Sequence, residues 1–417
     1  MSTKLKSKRI IYYDFIRAFA IFGVVACHCF SYLVINTDIF NTRLWFYSMF
    51  LNCLRDISVP LFVCVSGALL ITKKDTIITF LKKRVNKVIV PFIFWVIAFI
   101  IIEIIMKQPK YPMNIVVNTL SIPPVGSGII FWFVQMILVV YLVIIILNKL
   151  ISKNENFLKL ALLLSIIYIV LLNLGIIPEY QKPYNYLFYS VFAVFGYYAS
   201  RYDFANNKLS KSLGLTKDKL AVLFFVLSVG LYILEIYINI SMSIGSNKFD
   251  HVSQFSILNI VTLLSFFLFF RYFTESEGKI SRLCNYIKNS NVGKAIFSIS
   301  FCSYGIYLSH KLIVDYFLLS PFVDYPSPSV FATLMLIVAL IGSWLVILVM
   351  SKVPGLKKVS GVWISKTFQK SPYFYIRSIC KVIFHHELQL SVPYRNSFHL
   401  NSAHHHVCLH WKDAMVF

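Results

Sequence analysis

The stretch at positions 11–35, IYYDFIRAFAIFGVVACHCFSYLVI, decides how the rest of the chain is read. It is long enough for a helix to cross a hydrocarbon core of about 30 Å and is apolar nearly all round. Yet it carries Asp14, Arg17 and His28. Eleven helical positions make three turns plus roughly 20°, so Arg17 and His28 share a face and lie about 16–17 Å apart along the axis. Asp14, three positions before Arg17, is a neighbour on that face. Ionisable groups at bilayer depth cost several kcal/mol and therefore mark candidate functional sites. The plainer reading is a snorkelling Arg17 paired with Asp14, and a His28 satisfied by another helix.

Nine further apolar runs follow, at 45–72, 88–106, 129–147, 157–177, 184–200, 219–241, 254–270, 295–319 and 330–351. The run at 184–200 is short and Tyr-rich, and the one at 45–72 is interrupted by Arg55 and Asp56, which suggests a broken or re-entrant element. Across 417 residues, 58% are hydrophobic and 14% charged; soluble domains carry roughly 25% charge. Soluble, disordered and disulfide-scaffold classes are excluded on that ground. Strands of a membrane barrel would be shorter and would alternate. The expectation is an all-α polytopic membrane protein of about ten transmembrane helices.

A net charge of +23 would suggest nucleic acid in a soluble chain. Here the cations follow the loops instead. With a cytoplasmic N-terminus, the inside segments hold 23 Lys and Arg and the outside segments 5. That alternation predicts ten spans with both termini cytoplasmic, and no nucleic-acid partner. The basic segment Lys4–Arg9 and the run Val24-Val25-Ala26-Cys27 resemble a lipoprotein signal, but Asp14 and Arg17 interrupt it and the apolar stretch continues past Cys29. The eight cysteines form no CxxC pair. Cys27, His28 and Cys29 point about 100° apart on a helix and cannot converge on one ion, so no metal is expected. No internal repeat of the inverted-transporter kind is visible. The organisation is then a membrane domain at 1–352 and a cytoplasmic tail at 353–417. The tail gathers His385, His386, His399, His404, His405, His406 and His410, which reads as a solvated segment more readily than as a metal site.

Five blocks in order carry a family resemblance. Asp14-Phe-Ile-Arg17 with His28 resembles the R-x10-H signature of the acyltransferase 3 family of membrane-bound acyltransferases. Val59-Pro-Leu-Phe-Val-Cys-Val-Ser66-Gly67 resembles its VPLFF-x-x-SG block. Arg84-Val-Asn-Lys87 before Pro91 and Trp95 resembles its R-x-x-R…P segment, with Lys87 where the family often has Arg. Phe131-Trp132-Phe133 and Ser303-Tyr304-Gly-Ile-Tyr307-Leu-Ser-His310 resemble two later blocks. The likeness covers approximately residues 10–352.

The resemblance implies an O-acyltransferase of the plasma or inner membrane. It would move an acyl group, usually acetyl from acetyl-CoA, to a hydroxyl of a surface glycan or its lipid-linked precursor. His28 would take the proton of the acceptor hydroxyl. Arg17 and Asp14 would form an ion pair orienting the donor channel, and Arg84 and Lys87 would meet the phosphates of the donor. Ser66 and Gly67 read as helix-packing residues. Trp132, Tyr304 and Tyr307 line the channel or fill the core, and His310 is either a second polar group in the site or a buried hydrogen-bonding residue. A transporter or flippase without acyl transfer, or a catalytically silent scaffold, would use the same polar residues differently.

The charge alternation yields a direct test. In a background without native cysteines, a cysteine at Lys211 should resist a membrane-impermeant thiol reagent added outside, while one at Lys248 should react. The reverse labelling pattern would invert the assignment.

Overall fold

The computed structural model describes residues 9–35, 42–106, 131–179, 184–318 and 327–362. The chain divides into two units, 1–365 and 366–417, and the second, with its histidines, lies outside the described residues. Among the described residues the structure is helical, with no strand. The helices are α1 (Tyr12–Ile35), α2 (Arg43–Asn52), α3 (Leu54–Leu70), α4 (Ile77–Arg84), α5 (Val90–Met106), α6 (Trp132–Ile151) and α7 (Asn156–Asn173). They continue with α8 (Ser190–Arg201), α9 (Lys208–Ser212), α10 (Lys217–Ser246), α11 (Ile257–Glu275), α12 (Lys279–Asn289), α13 (Asn291–Leu318) and α14 (Pro328–Lys352).

Eight helical segments are long and apolar enough to cross a membrane: α1, α2 with α3, α4 with α5, α6, α7, α10, α11 and α14. This is a multi-pass membrane protein. Two of the ten expected spans differ for separate reasons. The run at 184–200 yields α8, whose 12 residues reach about 18 Å at helical rise, short of a hydrocarbon core. The run at 295–319 yields α13, which has 28 residues but includes Ser300, Ser303, His310, Lys311 and Asp315. Several polar groups of α13 are partnered: Lys311 pairs with Asp315 at 2.9 Å, Ser309 donates to the Gly305 carbonyl at 2.9 Å, and Ser300 donates to Asp14 of α1 at 3.0 Å.

The centre of the bundle is α1, which packs against α2, α3, α11, α13 and α14. Ile16, Ala20, Ile21, Val25, Ala26 and Phe30 are all fully buried along it. Its partner α3 is broken from α2 at Cys53, two residues before Arg55, where the charged pair had suggested an interruption. On its other side α3 meets α8 at backbone contact. A Cβ added at Gly67 would collide with the main chain of Ala193, and one at Gly196 with that of Cys64. Small residues at this crossing let two membrane helices approach closely, which supports the packing reading of Gly67.

Local chemistry fixes several helix ends. The α4 N-terminus is capped by Thr76, whose hydroxyl accepts from Thr79 N at 3.3 Å. From Val85 to Ile89 the helix widens into a π-turn before α5. Pro91 explains the widening, because it lacks an N–H and its ring crowds the carbonyl four residues back. Arg271 of α11 donates to the Ala199 and Tyr202 carbonyls at 2.9 and 2.6 Å, satisfying the end of α8. The amphipathic α12 turns Cys284 onto Phe15, Phe273 and Phe297, with Ile280 and Ile287 packed around them.

The α3–α8 crossing makes a stability prediction. Gly196→Leu and Gly67→Leu should each lower the melting temperature of detergent-purified protein by several degrees or abolish insertion, because neither neighbouring main chain can move aside. Gly230→Leu, at a site where an added Cβ meets nothing within 4 Å, should be tolerated. Equal melting temperatures for all three would refute the close crossing.

Candidate functional site

One cavity of about 990 Å³ runs along α1 and is walled by α3, α6, α13 and two connecting segments. Arg17 and His28 both line it, as their shared helical face requires. The three turns between them set its length. At the Arg17 end it is bounded by Lys87, Val88, Tyr141, Ser300 and Tyr304. At the His28 end and beyond it is bounded by Arg55, Trp132, Tyr189, Glu179 and the segment 251–254.

The basic end is assembled by the π-turn. Widening at 85–89 presents Lys87 to the cavity, while the Tyr304 hydroxyl donates to the Val88 carbonyl at 2.8 Å and ties α13 to the turn. Arg84 is differently placed. It is 7% exposed and sits behind the wall, its guanidinium 5.3 Å from the Phe80 ring centroid and 5.2 Å from that of Tyr141. Cation–π contacts of this kind hold a helix against its neighbour. The cations that reach this end of the cavity are therefore Arg17 and Lys87.

Asp14 also departs from the expectation. Its carboxylate accepts from Arg9 Nε at 2.7 Å and from Ser300 Oγ at 3.0 Å, so its ion pair is with Arg9 and not with Arg17. Arg9 precedes α1 and lies over the rings of Phe297 and Phe301, 4.8 and 4.5 Å from their centroids. Asp14 thus fastens the start of α1 to α13, and the neighbouring Arg17 turns to the cavity.

In the middle stand His28, Ser66, Phe133 and Tyr307. Ser66 Oγ donates to the Phe62 carbonyl at 3.0 Å. Phe133 and Tyr307 meet edge to face at 5.1 Å, and Trp132 stacks on Tyr186 at 6.3 Å, so these aromatics both fill the core and line the cavity. His310 lies just behind, 2% exposed, with its ring centroid 5.2 Å from that of His28.

The far end is a polar mouth built on the break at Cys53. Arg55 Nε donates to Asp56 Oδ1 at 3.2 Å, and Gln254 Nε2 donates to the same oxygen at 3.1 Å. Gln254 Oε1 accepts from the Tyr189 hydroxyl at 2.7 Å, and Asn259 Nδ2 reaches both the Asp56 and Gln254 carbonyls. Asn239 Oδ1 accepts from Val252 N at 2.7 Å. The loop at 249–255 is thereby pinned, with the His251 ring stacked on Phe249 at 5.4 Å and the Arg55 guanidinium 5.5 Å from that same ring.

Of the residues singled out from sequence, Arg17, His28, Ser66, Lys87, Trp132, Tyr304 and Tyr307 line one cavity, whereas Asp14, Arg84 and His310 stand behind its wall. Sequence reading assigned no role to the mouth residues Glu179, Tyr189, His251 and Gln254. The one signal for them was the charged pair Arg55–Asp56 inside an apolar run. Among the described residues no group of three or more His, Cys, Asp or Glu side chains could hold a metal ion.

A family model described as an acyltransferase domain matches residues 10–348. No curated protein and no solved structure matches the chain.

The mouth network predicts that Asp56→Ala is strongly destabilising, since it strands Arg55 and Gln254 at about 1–3 kcal/mol for each lost partner. Melting temperature should fall by several degrees, and limited proteolysis should begin to cut within 249–255. An unchanged cleavage pattern would show that the loop is held by other means.

Proposed function

Because the chain belongs to the acyltransferase 3 family, with the match spanning nearly the whole helical unit, we propose that it is a membrane O-acyltransferase using acetyl-CoA. The acceptor is a sugar hydroxyl of a surface polysaccharide or of its lipid-linked precursor. The chain lies in the plasma or inner membrane with both termini in the cytoplasm, so the basic end of the cavity opens to the cytoplasmic donor and the polar mouth to the opposite side. The observation that carries this reading is that Arg17, Lys87 and His28 share the wall of one cavity.

The roles follow from that spacing. Arg17 and Lys87 hold the phosphates of the donor, Arg17 through its planar fork and Lys87 as a point charge. The separation of Arg17 and His28, about 16–17 Å by helical rise, suits an extended pantetheine arm that carries the thioester to His28. The acceptor hydroxyl enters from the mouth. Its oxygen attacks the thioester carbonyl carbon while His28 takes the hydroxyl proton. The carbon–sulfur bond then breaks, and His28 returns the proton to the sulfur, releasing CoA thiol and the ester. Ser66, Tyr304, Tyr307 and Trp132 shape the path along which donor and acceptor meet. Arg84 and Asp14 brace the helices that present Lys87 and Arg17.

The test uses purified full-length protein, acetyl-CoA and a panel of methyl glycosides, followed by thiol release and mass spectrometry of the sugars. His28→Ala should lose roughly 100- to 10,000-fold in turnover with acetyl-CoA binding nearly intact. Lys87→Ala and Arg17→Lys should raise the KM for acetyl-CoA, and the second change should be damaging although it keeps the charge. Full transferase activity in folded His28→Ala protein would remove His28 from the chemistry, and absence of transfer by the unaltered protein would turn the cavity back into a transport path.

A further inference from the structure

The imidazole of His310 is bound on one side only. On α13 its Nδ1 lies 3.0 Å from the Ile306 carbonyl oxygen and 2.7 Å from that of Tyr307. Carbonyl oxygens only accept, so Nδ1 carries the proton and donates to both. The opposite nitrogen, Nε2, is buried without a hydrogen-bond partner among the described residues. Asp315, a turn further on, is engaged by Lys311, and an unpaired charge buried here would be costly, so the ring is uncharged and Nε2 presents a lone pair. Most buried polar atoms are hydrogen-bonded, so this bare acceptor is open to a donor from a neighbouring side chain. The ring closest to His310 is that of His28, at 5.2 Å between centroids, against 6.0 Å for Tyr307. At that separation a nitrogen of each ring comes within hydrogen-bond reach once the two edges turn toward each other, and such contacts commonly tighten only when substrate is bound.

We propose that His310 is a positioning residue for His28. Its Nε2 lone pair accepts the N–H of the His28 nitrogen that does not face the substrate. This rests on the acyl-transfer reading of His28. The contact fixes the His28 tautomer so that the other nitrogen is bare and able to take the acceptor hydroxyl proton. When that proton arrives, the imidazolium of His28 shares its far N–H with His310, and it loses the substrate-side proton again to the departing sulfur. No proton leaves the pair, and His310 stays uncharged throughout. The backbone carbonyls of Ile306 and Tyr307 take the orienting part that a carboxylate takes in a Ser-His-Asp arrangement, through a second imidazole. That suits a membrane interior, because it orients the base without burying an anion beside it.

The experiment compares two replacements of His310 in the purified full chain, with acetyl-CoA and methyl glycosides as probes and thiol release as readout. His310→Asn keeps a donor near the Nδ1 position and removes the Nε2 acceptor. His310→Gln places an amide oxygen near Nε2. His310→Asn should lower kcat by on the order of 10- to 100-fold at unchanged KM for acetyl-CoA, and His310→Gln should recover part of that loss. In a His28→Ala background His310→Asn should cost nothing further. Wild-type kcat in His310→Asn, equal losses in both variants at wild-type melting temperature, or additive losses in the double variant would each overturn the proposal. If His28→Ala is inactive while His310→Asn is not, only this inference fails. If His28→Ala is fully active, the assignment of His28 as the base fails and takes this inference with it.

Discussion

A polar side chain inside a bundle of apolar helices must find a partner or a water-filled space, and α1 is organised by that requirement. Asp14 finds Arg9 and Ser300, and so fixes the base of α1 to α13. Arg17 and His28, three turns apart on the same helix, find the cavity. The close packing around them follows. Gly23 lies so near Ser58 and Leu54 that α3 runs hard against α1, and α3 in turn meets α8 through Gly67 and Gly196. The cavity is the space left where small residues bring some helices together and aromatic residues hold others apart.

The two ends of that space are built by different means. The basic end depends on regular helices and one irregular turn, with Lys87 offered by the π-turn and Tyr304 bracing it. The polar mouth depends on a loop whose shape is imposed by side chains of distant helices: Asp56 from α3, Asn239 from α10 and Asn259 from α11. On the proposed function, the charged donor and the hydroxyl-bearing acceptor would be held in separate places and meet only at His28.

Much of this was legible in the sequence because membrane helices write their own period. Arg17 and His28 are separated by nearly a whole number of turns, so one face had to carry both. Gly67 was readable as a packing residue because small side chains have few other uses there. What the sequence hid was direction. Asp14 and Arg17 are neighbours by spacing, yet Arg9, outside the helix, captures the carboxylate. Arg84 and Lys87 look equivalent as a basic pair, yet the π-turn rotates one into the cavity and leaves the other between Phe80 and Tyr141. The mouth was hidden for another reason. His251, Ser253 and Gln254 belong to a loop without periodicity, and their place is set by partners as far away in sequence as Asp56. The polar helix α13 falls below the hydropathy of a span because its serines, His310, Lys311 and Asp315 lower the average of an otherwise apolar run.

The π-turn at Val85–Ile89 has a consequence for how this region can change over time. A π-turn is an α-helix with one residue too many. Deleting one of these five residues would shift α4 by one position against α5, and would do so without changing the apolar surface of α5. Every residue before the deletion would be turned by about 100° relative to α5, so a deletion at Val88 or Ile89 would take Lys87 off the wall. Insertions and deletions here therefore leave α5 intact and act on what α4 and Lys87 face. The segment is a length standard, in which the number of residues carries more information than their identity.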